Sequence, residues 1–280
     1  MPMTLKDFAY LPDLYGKLDK LASTILTEPW RFAAPEKARF NQSTHILERH
    51  LYMTFEEQMR RREYASDKDT YVYIGESRAV FNTGLLNALY QDVYACFEPN
   101  RSPQFGRNWA MVGFYTEAAV ALEGIPELPK PLRFFPDAAY GFHPDWALRL
   151  NLEHMLYSED NLARLPASIR SMSSLAQTLE SCAVQSMKRA RNMPGIAVPQ
   201  WYGGHLQYLL PLFIIDDQHA DVALALDAKD GFYLAHTALT LEMAYGNARL
   251  IARPEAAWIL ETVTPITHLE ENGGIQTYGE

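Results

Sequence analysis

Apolar positions recur at helical spacing in "STHILERHLYMTFEEQMRRREYA", where Ile46, Leu47, His50, Leu51, Phe55 and Met59 share a face. That spacing predicts a helix, with Ser43 or Thr44 as its cap. The preceding "LPDLYGKLDKLASTIL" reads as shorter helical pieces. The pattern then changes. "YVYIG", "RAVFNTGLL", "DVYACFEPN" and "WAMVGFYT" are rich in Val, Tyr and Phe and are separated by Gly, Asn, Asp and Pro, which predicts strands. Their connections are too short for crossovers, so they are expected to form an antiparallel meander.

The middle of the chain, "HPDWALRLNLEHMLYSEDNLARLPASIRSMSSLAQTLESCAVQSMKRARN", reads as mostly helical, punctuated by Glu159, Asp160 and Pro166. A second strand group follows in "HLQYLLPLFII", "DVALALDA" and "GFYLAHTAL", with a hairpin signal at "AKDG". The alternation in "HTALTL" then feeds a helix expected over 242–251. Helix, strands, helices, strands is the order of an α+β domain covering residues 1–280. The two strand groups are expected to join in a single, mainly antiparallel mixed sheet flanked by helices. Two subdomains meeting near Pro126–Pro136 are the alternative.

Composition narrows the function classes. With 280 residues and 48% hydrophobic positions, the chain can bury a core without staples. Its 25 basic and 34 acidic residues leave a formal net charge of -9, which argues against a general nucleic-acid coat but leaves room for a local basic cleft. Cys96 and Cys182 both lie in apolar surroundings, as core thiols do. The N-terminus lacks the charged and apolar regions of a signal peptide, and no apolar run approaches the roughly 20 residues that cross a bilayer. A cytoplasmic protein without a membrane span is expected.

Polar residues interrupt the apolar elements at several places. In "VFNTGLL", Asn82 and Thr83 can present hydrogen-bonding groups while Gly84 admits a close backbone; a β-bulge explains the same letters. In "QWYGGHLQYLL", Gly203 and Gly204 bend the chain, after which His205 and Gln207 share one strand face, and His205 can move a proton near neutral pH. "IIDDQHAD" places Asp216, Asp217 and Asp221 beside His219, a combination that suits a divalent ion or a solvated turn. No HExxH, CxxC or Walker-type loop occurs, so no dedicated transition-metal site is expected. Basic clusters lie at Arg60–Arg62, at Arg101 and Arg107 in "RSPQFGRNW", with Asn108 beside them, and at Lys188, Arg189 and Arg191. They can grip phosphate or merely solvate a helix face.

The last of these interruptions is "LEMAYGNARLI". On a helical wheel Arg249 falls beside Glu242 and Tyr245, whereas Asn247 lies about 140° away among apolar residues. A buried amide without partners costs about 1–3 kcal/mol, so Asn247 demands a ligand or a tied-down loop.

Taken in order, "VFNTGL", "EHMLYSEDNLARLP", "AVPQWY", "LQYLLPL", "ADVALAL" and "TLEMAYGNARLI" resemble the bacterial and eukaryotic domain-of-unknown-function family three-eight-two-five. The resemblance runs from Phe8 to Trp258. Such domains are found beside RNA-binding modules of the OST-HTH (LOTUS) and cold-shock kinds, so the resemblance implies RNA or nucleotide metabolism. It carries no catalytic residues with it.

The residues therefore suggest a protein that binds RNA or a nucleotide-like phosphate ligand. Where it is an enzyme, the expected class is a phosphoester-acting hydrolase, metal-independent or loosely assisted by a divalent cation. In that picture Arg107 and Arg249 hold phosphate, His205 is acid or base, and Asn82 and Asn247 orient the ligand, with Thr83, Asn108 and Gln207 beside them. A non-catalytic RNA- or protein-binding module is the alternative, and a scaffold with purely structural asparagines is a third. Shared geometry decides between them: the first needs Asn82, His205, Asn247 and Arg249 in one place.

Overall fold

A computed structural model describes residues 3–33, 42–65, 68–101, 107–119, 122–132 and 141–263. The helical spacing of the first third becomes α3 (His45–Tyr64), preceded by α1 (Leu5–Phe8), the short β1 (Ala9–Tyr10) and α2 (Leu14–Thr24). Thr44 is the N-cap of α3, but its side chain makes no capping bond. The buried residues of α3 are Ile46, Leu47, His50, Leu51, Thr54, Phe55, Glu57 and Gln58, so four polar residues travel inward with the apolar ones.

The meander becomes β2 (Val72–Ile74), β3 (Ala79–Leu86), β4 (Asp92–Pro99) and β5 (Trp109–Thr116). These pair antiparallel in the order β1-β5-β4-β3-β2, with β1 parallel at the edge. Alternation along β3 decides what lies on each face. Phe81 points inward, stacked 5.9 Å from Phe97 and 5.3 Å from Phe55 of α3. Val80 points outward into a small cluster with Tyr94, Cys96 and Leu122.

The second strand group forms a separate sheet. It contains β6 (Ala147–Leu150), β7 (Val198–Tyr202), β8 (His205–Leu212), β9 (Val222–Lys229) and β10 (Phe232–Leu239), ordered β6-β10-β9-β8-β7. The fold is α+β with mainly antiparallel pairing, but the expectation of one joined sheet is corrected to two sheets of five strands. The reason lies in two strands that fill the second sheet's edges. β6 pairs parallel with β10 and β7 pairs with β8, so these two strands, and not the meander, stand at the edges of the second sheet. Helices α4 (Leu152–Tyr157), α5 (Glu159–Leu162), α6 (Ala167–Arg170) and α7 (Leu175–Asn192) fill the middle, and α8 (Leu241–Arg249) and α9 (Ala257–Leu260) follow β10.

β8 is buried from Gln207 to Leu212 and β9 from Val222 to Leu226, which matches their apolar runs. α3 packs on β3 and α8 packs on β7, and the two helices touch each other, so they lie between the sheets. One apolar cluster runs continuously from Leu5 to Val263. Of the alternative boundary near 126–136, residues 133–136 lie outside the described residues. Among the described residues, no helix is long and apolar enough to cross a membrane.

Candidate functional site

The β7–β8 hairpin sets the first wall of the site. Gly203 and Gly204 both have positive φ, 60° and 86°, the combination a two-residue turn needs to follow strand twist. The turn pairs Gln200 with Gln207 across the two strands. Their amides meet there: Gln200 Nε2 donates to Gln207 Oε1 at 2.7 Å. Gln207 Nε2 in turn donates to Asp227 Oδ1 on β9 at 2.8 Å. His205 Nε2 donates to the same carboxylate oxygen at 2.9 Å. Burial works to raise the Asp227 carboxyl, but the Gln207 and His205 hydrogen bonds outweigh it and hold Asp227 below its ordinary value.

Helix α8 extends this chain. Thr240 caps it by accepting from the Met243 amide. One turn on, Asn247 Nδ2 donates to Gln200 Oε1 at 2.9 Å. Arg49 Nη2, from α3, donates to Asn247 Oδ1 at 2.6 Å. Arginine only donates and an ionised carboxylate only accepts, so the two ends orient every amide between them. The result is one polarised ladder, Arg49 to Asn247 to Gln200 to Gln207 to Asp227. Asn247, Gln200 and Gln207 are 3%, 1% and 9% exposed, so each needs the partners that the ladder supplies. Gly246 has its own reason here. A Cβ at that position would fall 2.5 Å from Arg49 Nε, so the absent side chain is what lets Arg49 reach Asn247.

A second wall comes from β10 and the helices that cover it. The β9–β10 register shifts between Ala235 and Thr237, leaving His236 as the extra residue of a bulge. Strict alternation puts neighbours on opposite faces, yet His236 and Thr237 both line the same cavity. Thr237 Oγ1 accepts from Arg164 Nη1 at 2.7 Å and donates to Asn161 Oδ1 at 2.9 Å. Asn161 Nδ2 then donates to the His154 carbonyl at 3.0 Å. Asn151 ties the two histidines together. Its Oδ1 caps α4 by accepting from the His154 amide, and its Nδ2 lies 3.4 Å from His236 Nδ1. The imidazoles of His154 and His236 stand edge to face, 6.4 Å between centroids.

Between the walls is a cavity of about 270 Å³. Arg49, Gln200, Gln207 and Asn247 line it on one side, and His154, Asn161, Arg164, His236 and Thr237 on the other. Ala225 lies on β9, the strand between β8 and β10, and its small side chain makes the floor. Tyr202, Leu239 and Met243 supply the apolar and aromatic surface. Among the described residues that line it there are two arginines and no carboxylate, in a chain whose net charge is -9. Low-dielectric walls around charges of one sign concentrate the field on whatever enters. The lining offers guanidinium and side-chain amide donors to whatever enters.

The structure brings three of the residues singled out by sequence, His205, Gln207 and Asn247, onto one ladder, with His205 at its solvent end. The others lie elsewhere, so the single shared site of Asn82, His205, Asn247 and Arg249 is corrected. Asn82 and Thr83 are buried at a bulge in β3, where Gly84 has φ 70°. Asn82 Oδ1 accepts from the Gly84 amide at 2.9 Å, and Thr83 Oγ1 donates to the Val93 carbonyl at 2.6 Å. Arg249 takes Glu28, not Glu242, as its ion-pair partner. Its guanidinium forms a bidentate buried pair with Glu28 and lies over the Trp30 ring, so it is no phosphate holder. Arg107 lines a separate hollow with Lys6, Tyr10 and Tyr52, and Asn108 is exposed at the start of β5.

The basic clusters also have internal partners. Arg60 and Arg61 both grip Glu57, and Arg62 Nε donates to the Val72 carbonyl. Arg189 donates to the Asp217 carbonyl and Arg191 pairs with Asp145. In "IIDDQHAD", Asp216 and Asp221 accept from backbone amides of their own turn. Sequence reasoning missed Arg49, His154, Asn161, Arg164, Gln200 and His236. Only His236 carried a signal, as a histidine beside Thr237 in an otherwise apolar strand.

Neither a curated protein nor a solved structure matches the chain. A family profile does, over residues 21–258, a span that contains every lining residue of the cavity. With that span matched, the chain belongs to the family described as Domain of unknown function (DUF3825).

Proposed function

We propose that the protein binds a phosphate-bearing, nucleotide-like ligand in the cavity between β7, β8, β10 and α8. One observation carries this reading: two arginines from different walls face a space with no lining carboxylate among the described residues, inside an acidic protein. Guanidinium groups match phosphate oxygens in a fork, and side-chain amides with an aromatic ring beside them suit the edge and face of a base. Arg49 and Arg164 take the place that the sequence reading gave to Arg107 and Arg249. A nucleotide, free or part of an RNA, is the ligand class.

Phosphoester hydrolysis or transfer is the second reading, favoured by His154 and His236 on the cavity wall. Histidine is the common acid–base group near neutral pH, and these two lie closer to the cavity than His205, which ends the ladder outside its lining. The test is thermal unfolding with nucleoside monophosphates and short oligoribonucleotides, followed by product analysis of each hit. A ligand present at about 100 times its Kd stabilises the fold by about 2.7 kcal/mol, which is read as a raised midpoint. No shift with any of them contradicts binding. Binding without turnover leaves a non-catalytic module.

A further inference from the structure

We infer that His236 is a fixed hydrogen-bond donor of the cavity: its neutral imidazole carries the proton on Nε2 and offers it to an acceptor oxygen of the ligand. The contact with a ligand rests on the nucleotide reading of the site, whereas the position of the proton does not. Asn151 fixes that proton. The first amides of a helix have no partner inside it, and the His154 amide of α4 finds Asn151 Oδ1 at 3.1 Å. This contact decides which end of the Asn151 amide is which, so the group 3.4 Å from His236 Nδ1 is the NH2. An amide NH2 only donates, so Nδ1 stands as a bare acceptor; a proton there would set two N–H groups against each other. In a neutral imidazole the proton then lies on Nε2. Nε2 has no partner among the described residues and is not one of their buried unpartnered atoms, so it is open to whatever occupies the cavity that His236 lines.

The rest of this wall has the same polarity. Thr237 Oγ1 accepts from Arg164 Nη1 and spends its own hydrogen inside the protein. Arg164 has no carboxylate partner among the described residues, and arginine only donates. Arg164 and His236 therefore both offer N–H groups, and oxygen acceptors such as those of a phosphate satisfy them. Asn151 is a positioning residue, because it acts through His236.

The proton is located first, from the nitrogen chemical shifts of the His236 ring in the isotope-labelled full chain at about pH 9, where an ordinary imidazole is neutral. A protonated Nε2 and a bare Nδ1 are expected, and the reverse pattern overturns the inference. This spectrum needs no variant, so the inference stays testable should a substitution fail to fold. Asn151→Asp keeps an oxygen for the cap of α4 but accepts from Nδ1, so the pattern is expected to invert; a pattern that does not move overturns the positioning role of Asn151. A nucleoside monophosphate is then titrated by calorimetry. His236→Gln, whose amide nitrogen stands near the place of Nε2, is expected to bind within about threefold of the wild type, and His236→Phe to lose about tenfold, as the loss of one hydrogen bond to a charged group gives. Equal affinity in His236→Phe and the wild type overturns the ligand contact and leaves nucleotide binding standing. Failure of the wild type to bind overturns the nucleotide reading and the contact with it, while the spectrum still decides where the proton lies.

Discussion

Asn247 and Gly246 are adjacent in sequence and serve one contact. Gly246 removes the side chain that would block Arg49, and Asn247 supplies the oxygen that Arg49 reaches. Gly246→Ala sets two effects against each other. Alanine favours the interior of α8 by about 1 kcal/mol, while its Cβ forces Arg49 away from Asn247. Because the helix gain offsets the lost contact, the unfolding free energy is expected to change by no more than about 1 kcal/mol. Ligand affinity is expected to fall markedly, because Arg49 is displaced from the cavity wall; urea unfolding and calorimetry on the same sample check both. Asn247 was legible as a residue needing partners, because a helical wheel places it among apolar neighbours. Its partners were not legible. Arg49 and Gln200 lie 198 and 47 positions away, and nothing local in a sequence encodes such separations. Arg249 shows the opposite error: helical spacing offered Glu242, but Glu28 takes the guanidinium because tertiary packing places a buried carboxylate there.

Elements join in this protein through buried polar contacts, and these give it a pH dependence. His50 of α3 donates from Nε2 to the Thr83 carbonyl of β3 at 2.9 Å, tying helix to sheet at the bulge. Burial, and then the positive charge of Arg249, push this histidine down to about 3. Its folded value lies below the unfolded one, near 6.5, so the unfolded chain takes up a proton that the folded chain refuses. Stability from this group is therefore complete above about pH 6.5 and declines by up to about 1.4 kcal/mol per pH unit below it. Unfolding free energies measured from pH 7.5 to 4.5 are expected to show that slope, and His50→Gln, which keeps a donor for Thr83, is expected to flatten it. An unchanged slope in the variant contradicts the assignment. The major helices and the central strands were readable from period and turn chemistry, including the "AKDG" hairpin, where Gly231 has φ 75°. β6 and β7 were not. "ALRL" lies within a helical pattern, and "VPQWY" carries a proline that demotes a strand reading, though an edge strand tolerates it.

At the scale of the whole molecule, two sheets enclose a layer formed by α3 and α8, and the cavity opens where that layer meets the second sheet. Sequence patterning showed the class of fold, two residues of one wall, Gln207 and Asn247, and His205 at the outer end of the ladder. It did not show the other wall, because a bulge in β10, a cap on α4 and a side chain beyond α5 converge there only after folding. The central claim is that this cavity, and no other hollow, is where the ligand sits. Ala225 tests it from the β9 side, because it lines the cavity and a larger apolar side chain there takes up ligand space, and the unfolding midpoint separates that effect from any overpacking of the buried strand. The decisive measurement is calorimetric titration of a nucleoside monophosphate into the wild-type protein and Ala225→Leu, with the unfolding midpoint of each recorded. The account predicts binding to the wild type, a loss of about tenfold or more in the variant, and closely similar midpoints. Equal affinity in the two proteins contradicts it and places the ligand elsewhere.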